Sequence, residues 1–523
     1  MRRSRRGFLL ASLLVAVLLA SGGAALIGFG GGEPDDGPTV TISGAEAKAT
    51  TALGAMAGLR SGSVLSFRGV RFGLSTEGER RWRPPEPSGK WTDTLTATQF
   101  AAQCPSGNSV EKGASEDCLF LNVYAPENVA SGSRDLPVMF WIHGGANASG
   151  SASDYDPSLL VQQEGVVVVT TNYRVGVLGF LAHPAIDGEG HPAANYGLLD
   201  QQVALRWVRD NIRAFGGDPG NVTVFGASSG GLNILNHMMS PGSAGLFQKA
   251  VVQSGAYQPD TPALSASQER GIAFADRIGC ADQSTGCLRG KSLADVLANQ
   301  GKTNTASSAF NQSSVDGDVI PQTQRSAFRQ GKFHRVPVMQ GVTRFEGRAI
   351  PSQSPDMSAR DFDDVAANYA TTASRALSKV LAEYPLDRYP DPFQAASAVV
   401  TDAAFACPAL NSNRVMSVHT PVFAYEFDEG SADPAASGHY ADVEYLFQVA
   451  WTAKAESEMG RTMRHHWAQF ARTGSPGDST WRPFTSQDGY VHAIGSGAGK
   501  DFNGEHHCGF WGAQSAIPAN SRI

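Results

Sequence analysis

Asn221-Val222-Thr223-Val224-Phe225-Gly226-Ala227-Ser228-Ser229-Gly230-Gly231 decides the fold. Val222 to Phe225 is a β-branched, apolar run of the kind that forms a buried strand. It stops abruptly at Gly226-Ala227-Ser228-Ser229-Gly230, and an apolar segment with helical character follows from Leu232 to Met239. A bare G-x-S-x-G also occurs in ordinary Gly/Ser loops. The strand before it and the helix after it select a nucleophile elbow instead. Such a turn is too sharp to leave room for side chains beside the serine, hence the flanking glycines. It holds the Ser228 hydroxyl out at the carboxyl edge of a sheet and leaves the next backbone N–H, that of Ser229, aimed at whatever the serine attacks.

Outward from the elbow, the chain alternates strands and helices. Val64 to Val70 and Asp117 to Tyr124 read as early strands. Pro137 to His143 and Gly165 to Tyr173 are nearly unbroken apolar runs, as central parallel strands are. Asn195 to Phe215 carries an apolar helical stripe, and Gly216 to Gly220 breaks it before the elbow strand. Ala250 to Gln253, Val336 to Gly341 and Val422 to Phe427 are further strands. Ala359 to Phe405 is helix-rich, and Glu456 to Thr473 is an amphipathic helix closed by Gly474. From Tyr257 to Gln330 the pattern thins to loops and surface helices. The order predicts an α/β fold: a mostly parallel central sheet with helices on both faces.

The 523 residues are 41% hydrophobic and 17% charged, a globular composition. The net charge of -7, with no long basic block after the first few residues, argues against nucleic-acid binding. Arg2, Arg3, Arg5 and Arg6 precede an uncharged apolar stretch from Phe8, and the first acidic residue is Glu33. This is an export signal, twin-arginine-like in Ser4-Arg5-Arg6-Gly7-Phe8-Leu9. Residues 1–38 are therefore read as signal and linker, and 39–523 as one catalytic domain. Cleavage near Ala20 to Ala25 is the favoured outcome. An uncleaved anchor is the alternative and the one expected contact with a membrane. The six cysteines, Cys104, Cys118, Cys280, Cys287, Cys407 and Cys508, read as three disulfides of an exported protein. The first four fall into two close pairs, so local loops are the simplest connectivity, leaving Cys407 with Cys508. Sequence alone permits fifteen pairings.

A nucleophilic serine needs a base to take its proton and an acid to hold that base. Chain order Ser, then Asp or Glu, then His suits an elbow of this kind. Glu346 follows the strand at Val336, and His439 lies in a Gly/Ser/Ala loop after Phe427. Asp402 is a rival acid. His465 and His466 are adjacent on a helix and point about 100° apart, so both cannot face one site; His506 and His507 read as structural. The oxyanion needs a second donor source, and His143-Gly144-Gly145-Ala146 after a central strand fits the H-G-G-G-type loop. Gly145, Ala146 and Ser229 are the expected donors. No cofactor or metal is required.

The chain resembles the type-B carboxylesterase and cholinesterase family of α/β-hydrolases from about Val64 to Trp511. The resemblance rests on Glu116-Asp117-Cys118-Leu119-Phe120-Leu121-Asn122-Val123, on Asn172-Tyr173-Arg174 with Gly176 to Phe180, on Asn195 to Gln201 and on Phe215 to Pro219. Gly341-Val342 with Glu346-Gly347 is similar to the family's acid segment, and His439 before Glu444-Tyr445-Leu446-Phe447 to its histidine segment. Trp467 to Ala471 with Thr473-Gly474, and Cys508 to Trp511, are similar to its closing segments. The resemblance implies that Ser254 supports the acid, that the first four cysteines pair locally, and that Cys407 pairs with Cys508. It implies a serine hydrolase of small-molecule or lipid carboxylic esters, with a lipase or polymer-active esterase as the alternative; separately, the exported protein is expected to be a monomer. A non-catalytic binding protein on the same fold is disfavoured because all three triad residues are kept. Four departures stand out: Ala227 replaces the usual Glu, Ser229 the usual Ala, Ala146 the third glycine, and Gly69 to Pro85 the usual proline-rich wording. The first cysteine loop, Pro105 to Asp117, has no aromatic residue. With Ala227 this removes two groups that would face a cation, which argues against choline esters.

Overall fold

The computed structural model describes residues 40–301, 310–349, 356–430, 437–450, 452–495 and 501–512; the expected export segment lies outside the described residues. Thirteen described strands form one sheet. They are β1 (Val40–Ser43), β2 (Glu46–Thr51), β3 (Gly54–Ser61), β4 (Val64–Arg71), β5 (Leu95–Thr96), β6 (Phe120–Pro126) and β7 (Leu136–Ile142). They continue as β8 (Val167–Thr171), β9 (Gly217–Ala227), β10 (Lys249–Gln253), β11 (Val338–Thr343), β12 (Val422–Asp428) and β13 (His492–Gly495). The spatial order is β1-β2-β3-β4-β6-β8-β7-β9-β10-β11-β12-β13, with β5 beside β3.

The sheet is mixed. From β8 through β7 to β13 every pairing is parallel. From β1 through β4 and β6 to β8 every sequential pairing is antiparallel. Composition follows this division. The central strands are buried on both faces and read as continuous apolar runs, as in Val167-Val168-Val169. β2 alternates buried and exposed positions, and the middle of β3 buried and half-buried ones, as antiparallel strands with one wetter face do. The elbow strand starts earlier than its apolar run. Gly216, at φ +77°, turns the chain out of the preceding helix, and Gly217 already pairs with Leu136.

Alternate side chains of β7 enter opposite cores. Val138, Phe140 and Ile142 pack with Val203, Leu205 and Val208 of the helix Tyr196–Asn211 and with the elbow helix Ser229–Met239. Met139 and Trp141 pack with Met463, Trp467 and Phe470 of the helix Glu458–Thr473 on the other face. Ser457 caps that helix and Gly474, at φ +79°, ends it. Helices therefore cover both faces. The stretch read as loops and surface helices has a small core of its own, in which Phe274, Leu288, Phe310 and Ile320 meet Trp82 and Leu178. The disulfides are Cys104–Cys118, Cys280–Cys287 and Cys407–Cys508.

Candidate active site

Ser228 sits between β9 and the helix Ser229–Met239, at φ +55° and ψ −125°. A non-glycine residue in this region is strained and is kept only where its surroundings enforce it. The enforcement is local. The Ser228 N–H donates to the Gln253 carbonyl at 2.8 Å, and its carbonyl accepts the Leu232 N–H at 2.9 Å. Gly226 and Gly230 both press on the Ile142 carbonyl of β7: a Cβ at Gly226 would lie 2.6 Å from it, and one at Gly230 would overlap it. The elbow thus needs both glycines for close approach.

Glu346 follows β11 and His439 follows β12. The His439 N–H donates to the Glu346 carbonyl at 3.3 Å, which joins the two loops. His439 Nδ1 lies 2.5 Å from Glu346 Oε2, and its Nε2 lies 2.9 Å from Ser228 Oγ. Because the buried carboxylate accepts, Nδ1 carries the proton and Nε2 is left to accept from the serine hydroxyl. Glu346 is fully buried. Its other oxygen accepts from Ser254 Oγ at 2.5 Å and from the Thr343 N–H at 2.9 Å. A buried anion held by three donors stays in one place. The Phe405 ring, 4.9 Å from the His439 ring, covers the imidazole from a π-helical turn at Thr401–Ala406.

The loop Gly144-Gly145-Ala146-Asn147 runs past the elbow. Gly145, Ala146 and Asn147 all have left-handed backbone, at φ +106°, +56° and +54°. A Cβ on Gly145 would collide with the Ser149 backbone, so only glycine fits there. Among the described residues, no intramolecular acceptor takes the N–H of Gly145, Ala146 or Ser229. His143 stacks on Tyr173 at 4.3 Å, and burial lowers its ring to about 4, so it is neutral.

The rival residues are engaged elsewhere. Asp402 accepts from Tyr384 at 2.7 Å and pairs with His506 Nδ1 at 2.6 Å. His506 Nε2 meets Glu426 at 2.7 Å, which makes a buried ionic triad. His507 pairs with Glu383 at 2.6 Å. His465 faces Glu164 at 3.4 Å, and His466 bonds the Pro476 carbonyl at 3.0 Å. Three groups of the site escaped the sequence reading. Tyr440 accepts the Gly144 N–H at 3.1 Å. Asn147 donates its N–H to Ser229 Oγ at 2.9 Å. Asp442, buried, accepts from Gln253 at 2.9 Å and Tyr425 at 2.8 Å. Only adjacency, Tyr440 and Asp442 to His439 and Asn147 to the glycine loop, marked them. Among the described residues, no group of three or more His, Cys, Asp or Glu side chains is arranged to hold a metal ion.

A serine on a strand–turn–helix elbow, at the carboxyl edge of a sheet covered on both faces, defines an α/β-hydrolase. The model of the Carboxylesterase family matches residues 45–511. The chain belongs to the carboxylesterase family. It is 35% identical over 452 residues to a para-nitrobenzyl esterase of Bacillus subtilis (strain 168), covering 82% of this chain and 90% of that protein. It is 32% identical over 505 residues to an acetylcholinesterase of Bungarus fasciatus, covering 85% and 82%. A solved structure of PNB esterase has a TM-score of 0.77 at 31% identity, covering 88% of this chain and 99% of that one.

Proposed function

We propose that the chain, a carboxylic ester hydrolase by family, works through an acyl-enzyme on Ser228. The observation that carries this is the hydrogen-bonded line from Ser228 Oγ through His439 to Glu346, at 2.9 and 2.5 Å. Ser228 Oγ attacks the ester carbonyl carbon while His439 Nε2 takes its proton. The N–H groups of Gly145, Ala146 and Ser229 bind the oxyanion. The tetrahedral intermediate collapses, the C–O bond to the alcohol breaks, and His439 returns the proton to the leaving alkoxide. Water, deprotonated by His439, then attacks the acyl carbon and releases the acid with Ser228 restored. Glu346 accepts from Nδ1, orients the ring and offsets its charge; Ser254 Oγ and the Thr343 N–H keep the carboxylate in place.

The substrate is a neutral ester of a small molecule or lipid. The aromatic-free loop between Cys104 and Cys118 and the uncharged Ala227 support the exclusion of choline esters. Three disulfides and the arginine-led N-terminus support export by the twin-arginine route, with residues 39–523 as one catalytic domain.

The test is hydrolysis of p-nitrophenyl esters from acetyl to palmitoyl, with a p-nitrobenzyl ester beside them, by wild type and Ser228→Ala. Turnover that peaks on short chains and vanishes in the variant supports the mechanism and a small-ester pocket. A peak on long chains moves the substrate class to lipids. Turnover retained by pure Ser228→Ala overturns the assignment, and failure of a fluorophosphonate to label wild-type Ser228 returns the binding-protein alternative.

A further inference from the structure

The strained loop between His143 and Ala148 raises a question of support. Three consecutive residues, Gly145 to Asn147, hold left-handed backbone, and two of them carry a Cβ. Left to itself such a loop relaxes, because single residues rarely keep this conformation without an enforcing contact. Two side chains accept backbone N–H groups of the loop, one at each end. At the leading end, the Gly144 N–H donates to the Tyr440 hydroxyl at 3.1 Å. That hydroxyl also shares a 2.5 Å hydrogen bond with Tyr155, so its position is fixed from outside the loop. At the trailing end, the Asn147 N–H donates to Ser229 Oγ at 2.9 Å. The Asn147 amide is itself fixed, accepting at Oδ1 from Asn233 at 2.9 Å.

The two clamps come from the catalytic segments themselves. Tyr440 is next to His439, and Ser229 is next to Ser228. Tyr440 has a cost of its own: it is a non-glycine residue at φ +79°. A residue held in that conformation marks a position where the side chain is needed. Its ring packs on Gly144 so closely that a Cβ there would come within 2.9 Å of Cε2. Burial pushes the Tyr440 hydroxyl up to about 12, so it stays neutral and available as an acceptor. Ser229 explains a departure that the sequence left bare. An alanine at that position supplies the same backbone N–H but nothing for Asn147.

We propose that Tyr440 and Ser229 are positioning residues that clamp the two ends of the oxyanion loop, so that the Gly145 and Ala146 N–H groups between them stay unpaired and aimed at the developing oxyanion. This rests on the assignment of Ser228 and of the oxyanion donors under Proposed function. Preorganised donors act only on charge that develops in the transition state. Loosening either clamp therefore weakens transition-state binding and leaves ground-state binding alone.

The experiment compares wild type, Tyr440→Phe, Ser229→Ala and the double variant, with Tyr155→Phe as a milder perturbation of the same hydroxyl. Fluorophosphonate titration counts competent sites, and melting temperature reports folding. On p-nitrophenyl butyrate, kcat/KM per competent site is expected to fall roughly three- to tenfold for each single variant, the net worth of one hydrogen bond. The affinity of a trifluoromethyl ketone, which forms a tetrahedral adduct on Ser228, should fall by the same factor. That of an unreactive amide isostere should not change. A purely structural role would lower melting temperature and competent fraction without the parallel loss of ketone affinity, and that outcome overturns the proposal. If Ser229→Ala does not fold, Tyr440→Phe and Tyr155→Phe decide. An inert Ser228→Ala beside fully active Tyr440→Phe and Ser229→Ala sinks the clamp alone; an active Ser228→Ala sinks the site assignment beneath it.

Discussion

Replacing His506 by Gln should destabilise the protein by about 3–5 kcal/mol at pH 7 and by far less at pH 10.5. His506 is buried between Asp402 at 2.6 Å and Glu426 at 2.7 Å. Burial opposes a charged ring, but the hydrogen bonds and charges of Asp402 and then Glu426 outweigh it and push the imidazole up to about 10. The group is therefore charged at neutral pH, and its removal leaves two buried carboxylates facing each other. The unfolded value is 6.5, so the folded value is raised. Stability from a raised cation is fully present below pH 6.5 and is lost as pH rises through 10. A rise from 6.5 to about 10 is worth about 5 kcal/mol by linkage, in line with the range for losing one partner of a buried ion pair. The assay is urea denaturation of both proteins at the two pH values, with midpoints compared at a common slope. The gap between the curves should narrow sharply at pH 10.5. An equal gap at both pH values would mean that His506 is not the cation of this cluster, and the reasoning fails.

Ser254→Ala should cut kcat about tenfold with little change in KM, because a short hydrogen bond to the Glu346 carboxyl group is lost; an unchanged kcat would mean the Thr343 N–H alone fixes the carboxyl group. Asp442→Asn should raise stability at pH 8 by up to about 3 kcal/mol. Burial pushes the Asp442 carboxyl up to about 6 from 3.8, so the ionised form weakens the fold as pH climbs through that window. The gain should shrink at pH 5, and thermal melting at the two pH values checks it. Removing the Cys407–Cys508 bridge, which spans 101 residues, should cost about 5 kcal/mol on the chain-entropy account, against about 2.5 for Cys280–Cys287, which spans 7. Melting of the two Cys→Ser pair variants ranks them, and the reverse ranking would rule out loop entropy as the source.

What the sequence made legible is what is local. The elbow announces itself because Gly226 and Gly230 must sit against the Ile142 carbonyl, and glycine spacing survives in a linear string. The acid and base follow from chain order once the serine is known. β2 and β3 escape because most of the buried positions in their alternation, Ala47, Ala49 and Gly58, carry little or no apolar side chain. Long-range partnership leaves no periodic trace at all. Tyr440 meets Gly144 across 296 residues, and His506 meets Asp402 across 104. The same blindness made Asp402 a rival acid: its carboxylate is plain in the sequence, but the partner that occupies it is not.

The site also explains why the parallel half of the sheet carries it. The adjacent strands β7, β9, β10, β11 and β12 all point the same way. In that spatial order their carboxyl ends lead to the oxyanion loop, Ser228, Ser254, Glu346 and His439. Register keeps them level: Ile142 lies beside Gly226, Ala227 beside Gln253, and Gln253 beside Gly341. Strands are about 4.8 Å apart, so neighbouring ends place side chains within one or two hydrogen bonds of each other. Antiparallel neighbours would send every second end to the opposite edge and scatter the set. Residues hundreds of positions apart thus need no long loops to meet. Of these residues His439 stands furthest past its strand, and it is held where its N–H donates to the Glu346 carbonyl and where the neighbouring Tyr440 hydroxyl accepts the Gly144 N–H.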